Sequence, residues 1–347
     1  MCNKHHRHSI FCILPPHVLD QIARNGNKTQ REWALDTLHI DNTLRAMRLT
    51  AVAPTTQALG GGTPGQVQRT IYTATNTTTL PGTLSRAEGQ AKTNDIEVDE
   101  AYDYLGATYN FYWDVLRRNS IDDAGMPLQG TVHYGKKYDN AFWNGAQMVF
   151  RDGDGTLFNR FTVSLDVIGH ELTHGVTENE AGLVYFNQAG ALNESLSDVF
   201  GSLVKQYALK QTAKQADWLI GSGLLGAGVQ GKALRSMAKP GTAYDDPILG
   251  KDPQPDHMKN YVRTPQDNGG VHINSGIPNR AFYLAATAIG GNAWERAGQI
   301  WYDTMRDNKL KANAGFAAFA KLTVAHAKSA EETKVVQTAW NTVGIEV

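Results

Sequence analysis

His170-Glu171-Leu172-Thr173-His174 is where residue types and spacing first meet a chemical task. Residues four apart on a helix share a face, so His170 and His174 aim two imidazole nitrogens at one point. Neutral imidazole suits zinc, and Glu171, one residue round the helix, stands beside that point and not on it. A carboxylate there can take a proton from a water polarised by the metal. A third ligand is needed, with a fourth position left for water. Twenty residues after His174 comes Glu194, within Asn193-Glu194-Ser195-Leu196-Ser197-Asp198, and it completes a set of two histidines and one carboxylate. Asp198, one turn further on the same face, fits the carboxylate that takes the other ring N–H of a metal-bound histidine, here His170.

These residues need two helices to hold them. Leu165, Ile168, Leu172 and Val176 form one apolar stripe at helical spacing, and Leu192, Leu196, Val199 and Leu203 form another. Helices are also expected around Val18, Leu19, Ile22 and Ala23, over Asp99 to Arg118, over Phe282 to Ile289 and over Phe316 to Ala327. Trp33, Leu35, Leu38, Leu44 and Met47 suggest a further short helical hairpin. Residues 66–95, with Val67, Ile71 and Thr77 to Thr79, read as strands, as do the short pieces Thr131 to Tyr134 and Gln147 to Phe150. The body is therefore β-rich first and helical second, an α+β arrangement of two lobes.

The composition narrows the classes. A chain of 347 residues, 41% of them apolar, can bury a sizeable core in about two domains. With 33 Lys+Arg against 34 Asp+Glu the net charge is −1, which argues against a broad basic field for nucleic acid and against disorder. No apolar run is long enough to span a membrane. Cys2 and Cys12 are the two cysteines, too few for a disulfide scaffold. The first 50 residues carry 7 Lys+Arg against 4 Asp+Glu and five of the eleven histidines, whereas residues 51–347 carry 26 against 30. Ala51 to Gly65 reads as a linker. A basic front segment, a linker and an acidic body suit either a propeptide before an enzyme or an ordinary N-terminal subdomain. The stretch Ser9 to Leu14, ended by Pro15-Pro16, is too short for a conventional export signal.

Asn140-Ala141-Phe142-Trp143-Asn144-Gly145, the His170–His174 helix, Gly182-Leu183-Val184-Tyr185, Asn193-Glu194 and Gly269-Gly270-Val271-His272-Ile273-Asn274-Ser275-Gly276 resemble the thermolysin family of zinc endopeptidases. The resemblance runs in order from about Thr131 to the C-terminus. The front segment with Pro15-Pro16 resembles the small propeptide of the protealysin-like branch. The implied fold is two-lobed, with a zinc cleft between a propeptide-free β-rich lobe, 51–176, and a helical lobe, 177–347, behind a propeptide, 1–50. The implied activity is endopeptidase, latent until the front segment is removed. Zinc would be held by His170, His174 and Glu194, with Glu171 as general base. Tyr185 and His272 would donate to the oxyanion, with Asp267 orienting His272. Asn140 and the Ala141 backbone would bind the substrate main chain, and Arg235 the carbonyl after the scissile bond. Phe158, Phe161, Val167, Ile220 and Leu234 would line an apolar pocket, giving cleavage on the amino side of large apolar residues. The implied partners are protein and peptide substrates and the propeptide itself, without nucleic acid or membrane, for a monomer that is secreted or stored in the cytoplasm before release.

The sequence departs from the family at the double calcium site. Asp166 and Asp217 match two positions, but Lys205, Leu219 and Ser222 stand at three others. Calcium needs six to eight oxygen ligands, so the double site is expected to be lost, with Lys205 paired to Asp166 or Asp217. Calcium at another site stays open. Asp152-Gly153-Asp154-Gly155 lacks the later ligands of a calcium loop and reads as a turn. Cys12 either caps the metal as a thiolate or packs as an apolar side chain. His5, His6 and His8 read as a solvated tail. A zinc aminopeptidase would share the two-histidine helix, but its Gly-x-Met-Glu-Asn strand is absent; a binding protein on a dead peptidase would have lost Glu171 or a ligand.

Overall fold

The structure, a computed structural model, describes residues 11–50, 62–136 and 139–347. Cys2, His5, His6, His8 and the linker from Ala51 to Gly61 lie outside the described residues. The chain forms two compact units, 1–163 with 226–228, and 164–225 with 229–347. The boundary expected at 176 lies within the last turn or so of a helix, whereas the units divide before that helix begins.

The first unit is built on a six-stranded mixed sheet. Its strands are β1 (Phe11–Cys12), β2 (Arg69–Thr73), β3 (Thr83–Ala87), β4 (Leu128–Val132), β5 (Ala141–Trp143) and β6 (Met148–Phe150), in the order β1-β5-β6-β4-β2-β3. The front segment thus supplies an edge strand, with Phe11 opposite Trp143 and Cys12 opposite Phe142. Cys12 is buried with Ala74, Tyr134, Phe142 and Val149, so it packs as a small apolar residue. Its Sγ is 3.5 Å from Asp41 Oδ1.

Behind β1 come α1 (Pro16–Asn25) and α2 (Lys28–Thr50). Instead of a short hairpin after Trp33, one helix runs for 23 residues. The break falls earlier, at Gly26-Asn27. There Asn27 Oδ1 accepts from the Gln30 N–H while Gln30 Oε1 accepts from the Asn27 N–H, a reciprocal cap. No Gly or Pro follows until the helix ends, so nothing interrupts it. Thr77 to Thr79, expected in a strand, lie in the β2–β3 connection. The Thr77 hydroxyl donates to the Ala74 carbonyl, a local bond that competes with strand pairing. Helix α3 (Ile96–Leu116) is capped by Asp95, whose Oδ1 accepts from the Glu97 and Val98 N–H groups.

The second unit is mainly helical: α4 (Leu165–Glu180), α5 (Asn187–Leu209), α6 (Asp267–Asn274), α7 (Gly276–Ile289), α8 (Ala297–Arg306), α9 (Phe316–His326) and α10 (Ala330–Thr342). A short ribbon pairs β7 (Leu219–Ile220) with β8 (Arg235–Ser236). Helix α4 is buried on nearly every side from Asp166 to Thr177, and α5 from Ala189 to Gln206. They cross where two glycines meet. A Cβ on Gly169 would stand 3.1 Å from Gly201 Cα, and one on Gly201 would stand 2.9 Å from the His170 nitrogen and run into the Asp166 carbonyl. That close approach sets Glu194 on α5 against the histidines of α4. Among the described residues no helix is long and apolar enough to cross a membrane.

Candidate metal centre

His170 and His174 stand one turn apart on α4, with ring planes at 89° and centroids 4.6 Å apart. Their Nε2 atoms are 3.0 Å apart. Glu194 on α5 brings Oε2 to 3.6 Å from His170 Nε2 and Oε1 to 3.5 Å from His174 Nε2. Zinc bonds of about 2.0–2.2 Å in a tetrahedral shell put neighbouring ligand atoms roughly 3.3–3.5 Å apart, so these three fit one ion. Glu194 Oε2 is buried and makes no hydrogen bond within the protein, as a ligand atom would. Burial and the charge of His170 push the His174 pKa well below its ordinary value, which keeps the imidazole neutral for ligation.

The outer contacts orient these ligands. His170 Nδ1 is 2.8 Å from Asp198 Oδ1. Asp198 also accepts from Arg235, Nε to Oδ2 and Nη2 to Oδ1, both at 2.8 Å, and from Asn279 Nδ2 at 2.8 Å. Burial works to raise the Asp198 pKa, but the Arg235 charge and the contact with His170 hold it well below the usual carboxylate range. His174 Nδ1 meets Asn193 Oδ1 at 2.8 Å and Ser197 Oγ at 3.0 Å. Metal-bound histidines commonly hand their second ring N–H to such acceptors. The sequence reading missed Asn193, Ser197 and Asn279 in these roles. Asn193 and Ser197 flank Glu194 on its own helix, which is a usable signal, whereas Asn279 lies 81 residues from Asp198.

Glu171 is buried on α4, next in sequence to His170. The Tyr185 hydroxyl donates to Glu194 Oε1 and lies 3.2 Å from His272 Nε2. Asp267 Oδ1 is 2.6 Å from His272 Nδ1, and its Oδ2 accepts from the His272 N–H at 2.9 Å. Burial alone would lower the His272 pKa, but the Asp267 and Glu194 carboxylates raise it. The chain reaches this geometry through a left-handed turn, Asp267 to Gly270, with φ from 50° to 85°. Asp and Asn tolerate that region, and Gly269 has no alternative, because a Cβ there would run into the Asn187 carboxamide.

Both units of the structure match the profile of one family. The residues 36–178 match the thermolysin metallopeptidase catalytic domain, and 181–345 match the thermolysin metallopeptidase alpha-helical domain. The chain belongs to the thermolysin metallopeptidase family. It is 58% identical over 342 residues to an extracellular metalloprotease of Pectobacterium carotovorum subsp. carotovorum, covering 97% of each chain. It is 51% identical over 344 residues to the protease PrtS of Photorhabdus sp. (strain Az29), covering 96% of this chain and 92% of that one. Among solved structures it is similar to the precursor of protealysin, a metalloproteinase from Serratia proteamaculans. The TM-score is 0.90 and the identity 59%, over 96% of this chain and 99% of that one. The fold is thermolysin-like, α+β, with a β-containing N-terminal part and a helical C-terminal part. The protein is a metallopeptidase of a zinc-dependent family, and His170, His174 and Glu194 are the residues that could hold its metal.

This thermolysin-family chain places its remaining expected residues as follows. Asn140 and Ala141 stand at β5 in the first unit, already hydrogen-bonded to the front segment. The Leu14 N–H donates to Asn140 Oδ1 at 3.0 Å, the Ile13 N–H donates to the Ala141 carbonyl at 3.2 Å, and Asn140 Nδ2 donates to Asp41 Oδ2 at 3.1 Å. Phe158 and Phe161 are buried in the first unit with ring centroids 6.0 Å apart. Val167, Ile220 and Leu234 are buried in the second, where the Leu234 N–H donates to the Ile220 carbonyl. Lys205 Nζ lies 2.6 Å from Asp166 Oδ2, 3.0 Å from Asp217 Oδ1 and 2.8 Å from the Leu219 carbonyl. Burial opposes the charge on Lys205, but the two aspartates outweigh it and raise its pKa.

Proposed function

We propose that this metallopeptidase is a zinc endopeptidase that cleaves on the amino side of large apolar residues and is made as a latent precursor. The observation that carries the reading is the convergence of His170, His174 and Glu194, with Glu171 on the same helix. His170, His174 and Glu194 would hold the zinc, and zinc would supply Lewis acidity at the scissile carbonyl and the attacking water. Glu171 takes a proton from that water and passes it to the leaving amine. Tyr185 and His272 donate hydrogen bonds to the oxyanion, and Asp267 holds His272 oriented and protonated. Asp198 orients His170. Asn140 and the Ala141 backbone bind the substrate main chain, and Arg235 donates to the carbonyl after the scissile bond. The apolar character of Phe158, Phe161, Val167, Ile220 and Leu234 supports the preference for Leu, Phe or Ile.

Residues 1–50 act as propeptide, followed by catalytic lobes 51–176 and 177–347. The pairing of β1 with β5 supports latency, because the front segment takes the main-chain partners proposed for substrate. The similarity to a protealysin precursor supports it too. Lys205 supplies the positive charge that calcium would bring, which supports loss of the double calcium site. The extracellular relatives support secretion, with cytoplasmic storage before release, and the working state is a monomer.

The test is cleavage of an internally quenched peptide, blocked at both ends, with Leu or Phe at its centre. Chains freed of residues 1–50 are compared, wild type against Glu171→Ala, with zinc content measured on both. The expected result is cleavage by wild type alone, by roughly 10²-fold or more, at equal zinc content. Inactive wild type that holds zinc would overturn the reading.

A further inference from the structure

We propose that Glu97, His133 and Asp152, all in the first unit, form a second metal site for a first-row divalent cation, with zinc the best fit. One ligand atom from each lies within 4.8 Å of the other two. His133 Nδ1 is 2.9 Å from Asp152 Oδ1 and 3.6 Å from Glu97 Oε2. The far side of the ring is already committed, because His133 Nε2 is 2.9 Å from Asp95 Oδ2. Asp95 cannot swing away, since its Oδ1 caps α3 through the Glu97 and Val98 N–H groups at 3.0 and 3.3 Å. An Nε2–H donated to Asp95 leaves Nδ1 as the nitrogen that faces the two carboxylates, holding a proton shared with Asp152 or, once that proton is displaced, a metal. That is the carboxylate–histidine–metal arrangement by which outer contacts fix the tautomer of a ligand.

Glu97 gives an independent sign. The residue is 8% exposed, its Oε2 faces His133 Nδ1 at 3.6 Å, and its carboxyl lies within hydrogen-bond reach of Asp152, so two acids and an imidazole crowd one small space. Two carboxyl groups so placed need a proton or a cation between them. Asp152 is aimed by its own loop. Asp154 Oδ1 accepts from the Thr156, Leu157 and Phe158 N–H groups and so holds the turn. The turn reading of Asp152 to Gly155 therefore stands for Asp154, and Asp152 is left to face His133. With its protons displaced, the cluster of two carboxylates and one neutral imidazole carries the charge that a divalent ion balances. The nitrogen donor selects zinc-like ions over calcium, which takes oxygen ligands. His133 and Asp152 are partly exposed, so solvent can fill the fourth position.

The full chain, equilibrated with micromolar zinc chloride and stripped of free metal, should bind a second zinc per chain. Glu97→Gln should lose that second zinc and keep the first. Replacing His5, His6 and His8 by Ala should leave both in place. Crystals measured at the zinc edge should show an anomalous peak within bonding distance of His133 Nδ1. If Glu97→Gln does not fold, Asp152→Asn takes its place, and the wild-type diffraction stands alone. The proposal is overturned if wild type takes up no second zinc. It is equally overturned if the second zinc persists in Glu97→Gln, or if nitrogen NMR of the zinc-saturated protein shows His133 carrying protons on both ring nitrogens.

Discussion

His170 and His133 are held by the same device in different materials. Each gives one ring nitrogen to a fixed aspartate, Asp198 or Asp95, and turns the other toward carboxylates. The mounting differs. His170 sits within a buried helix, and its aspartate is clamped by Arg235 and Asn279. His133 sits in a loop after β4 with φ of 54°, and its aspartate is fixed by two backbone N–H groups at a helix start. The second unit therefore carries a resident cation, Arg235, that keeps its aspartate ionised whether or not metal is present. The first unit has no such cation on Asp95 among the bonds described for it. Charge at its cluster is balanced by protons on His133 and Glu97 and by the nearby Arg151 charge, or by a metal.

The clamp on Asp198 is the sharpest place to break this contrast. Asp198→Asn leaves the shape but removes the charge facing Arg235 and His170. Zinc affinity at His170, His174 and Glu194 should fall by about 10–100-fold, read by competition with a chromogenic chelator. An unchanged affinity would mean that helix packing alone aims His170. A smaller effect is expected from the helix crossing. Gly201→Ala pushes a methyl group toward the Asp166 carbonyl and the His170 nitrogen. Chemical denaturation should show a loss of about 1–3 kcal/mol, and the first unit's cluster should be untouched.

A third test concerns Asp267. It raises the His272 pKa against the effect of burial. A donor that must be protonated loses activity as pH rises through its folded pKa. The alkaline limb of kcat/KM should therefore lie above the ordinary histidine value of about 6.5. In Asp267→Asn it should move to lower pH. A limb that stays in place would assign it to another group.

The two centres also differ in how much of them the sequence reveals. His170, Glu171 and His174 lie within five residues, so helical periodicity alone brings them together. Glu194 and Asp198 sit one turn apart on the next apolar stripe, and the pairing of Lys205 with Asp166 and Asp217 follows from charge types at matched positions. His133 gives no such signal, because its partners lie 38 and 19 residues away in a helix cap and a loop. Asn279 is hidden for the same reason. The long α2 is a different case, since the Asn27–Gln30 cap and the absence of later breakers are both readable, but the apolar spacing there is weak and suggests a hairpin. The Thr77 to Thr79 run shows the limit of β-propensity, because hydroxyls bonded to neighbouring backbone favour a loop.

One buried acid of the first unit belongs to neither centre and ties the front segment to pH. The Asp139 pKa is pushed up to about 7, first by burial and then by the charge of Asp154. Its N–H donates to the Thr37 hydroxyl of α2, so part of its cover comes from the front segment. Without that segment its pKa should fall toward the ordinary value of about 3.9. Between those values the docked state binds a proton that the undocked state releases. Docking is therefore fully supported below about pH 4, weakens by at most about tenfold per unit as pH rises, and levels off above about 7. The dissociation constant of the cleaved segment, measured across that range on the processed chain, should show this slope. Asp139→Asn should flatten it. A slope that survives the substitution would assign the linkage to another group.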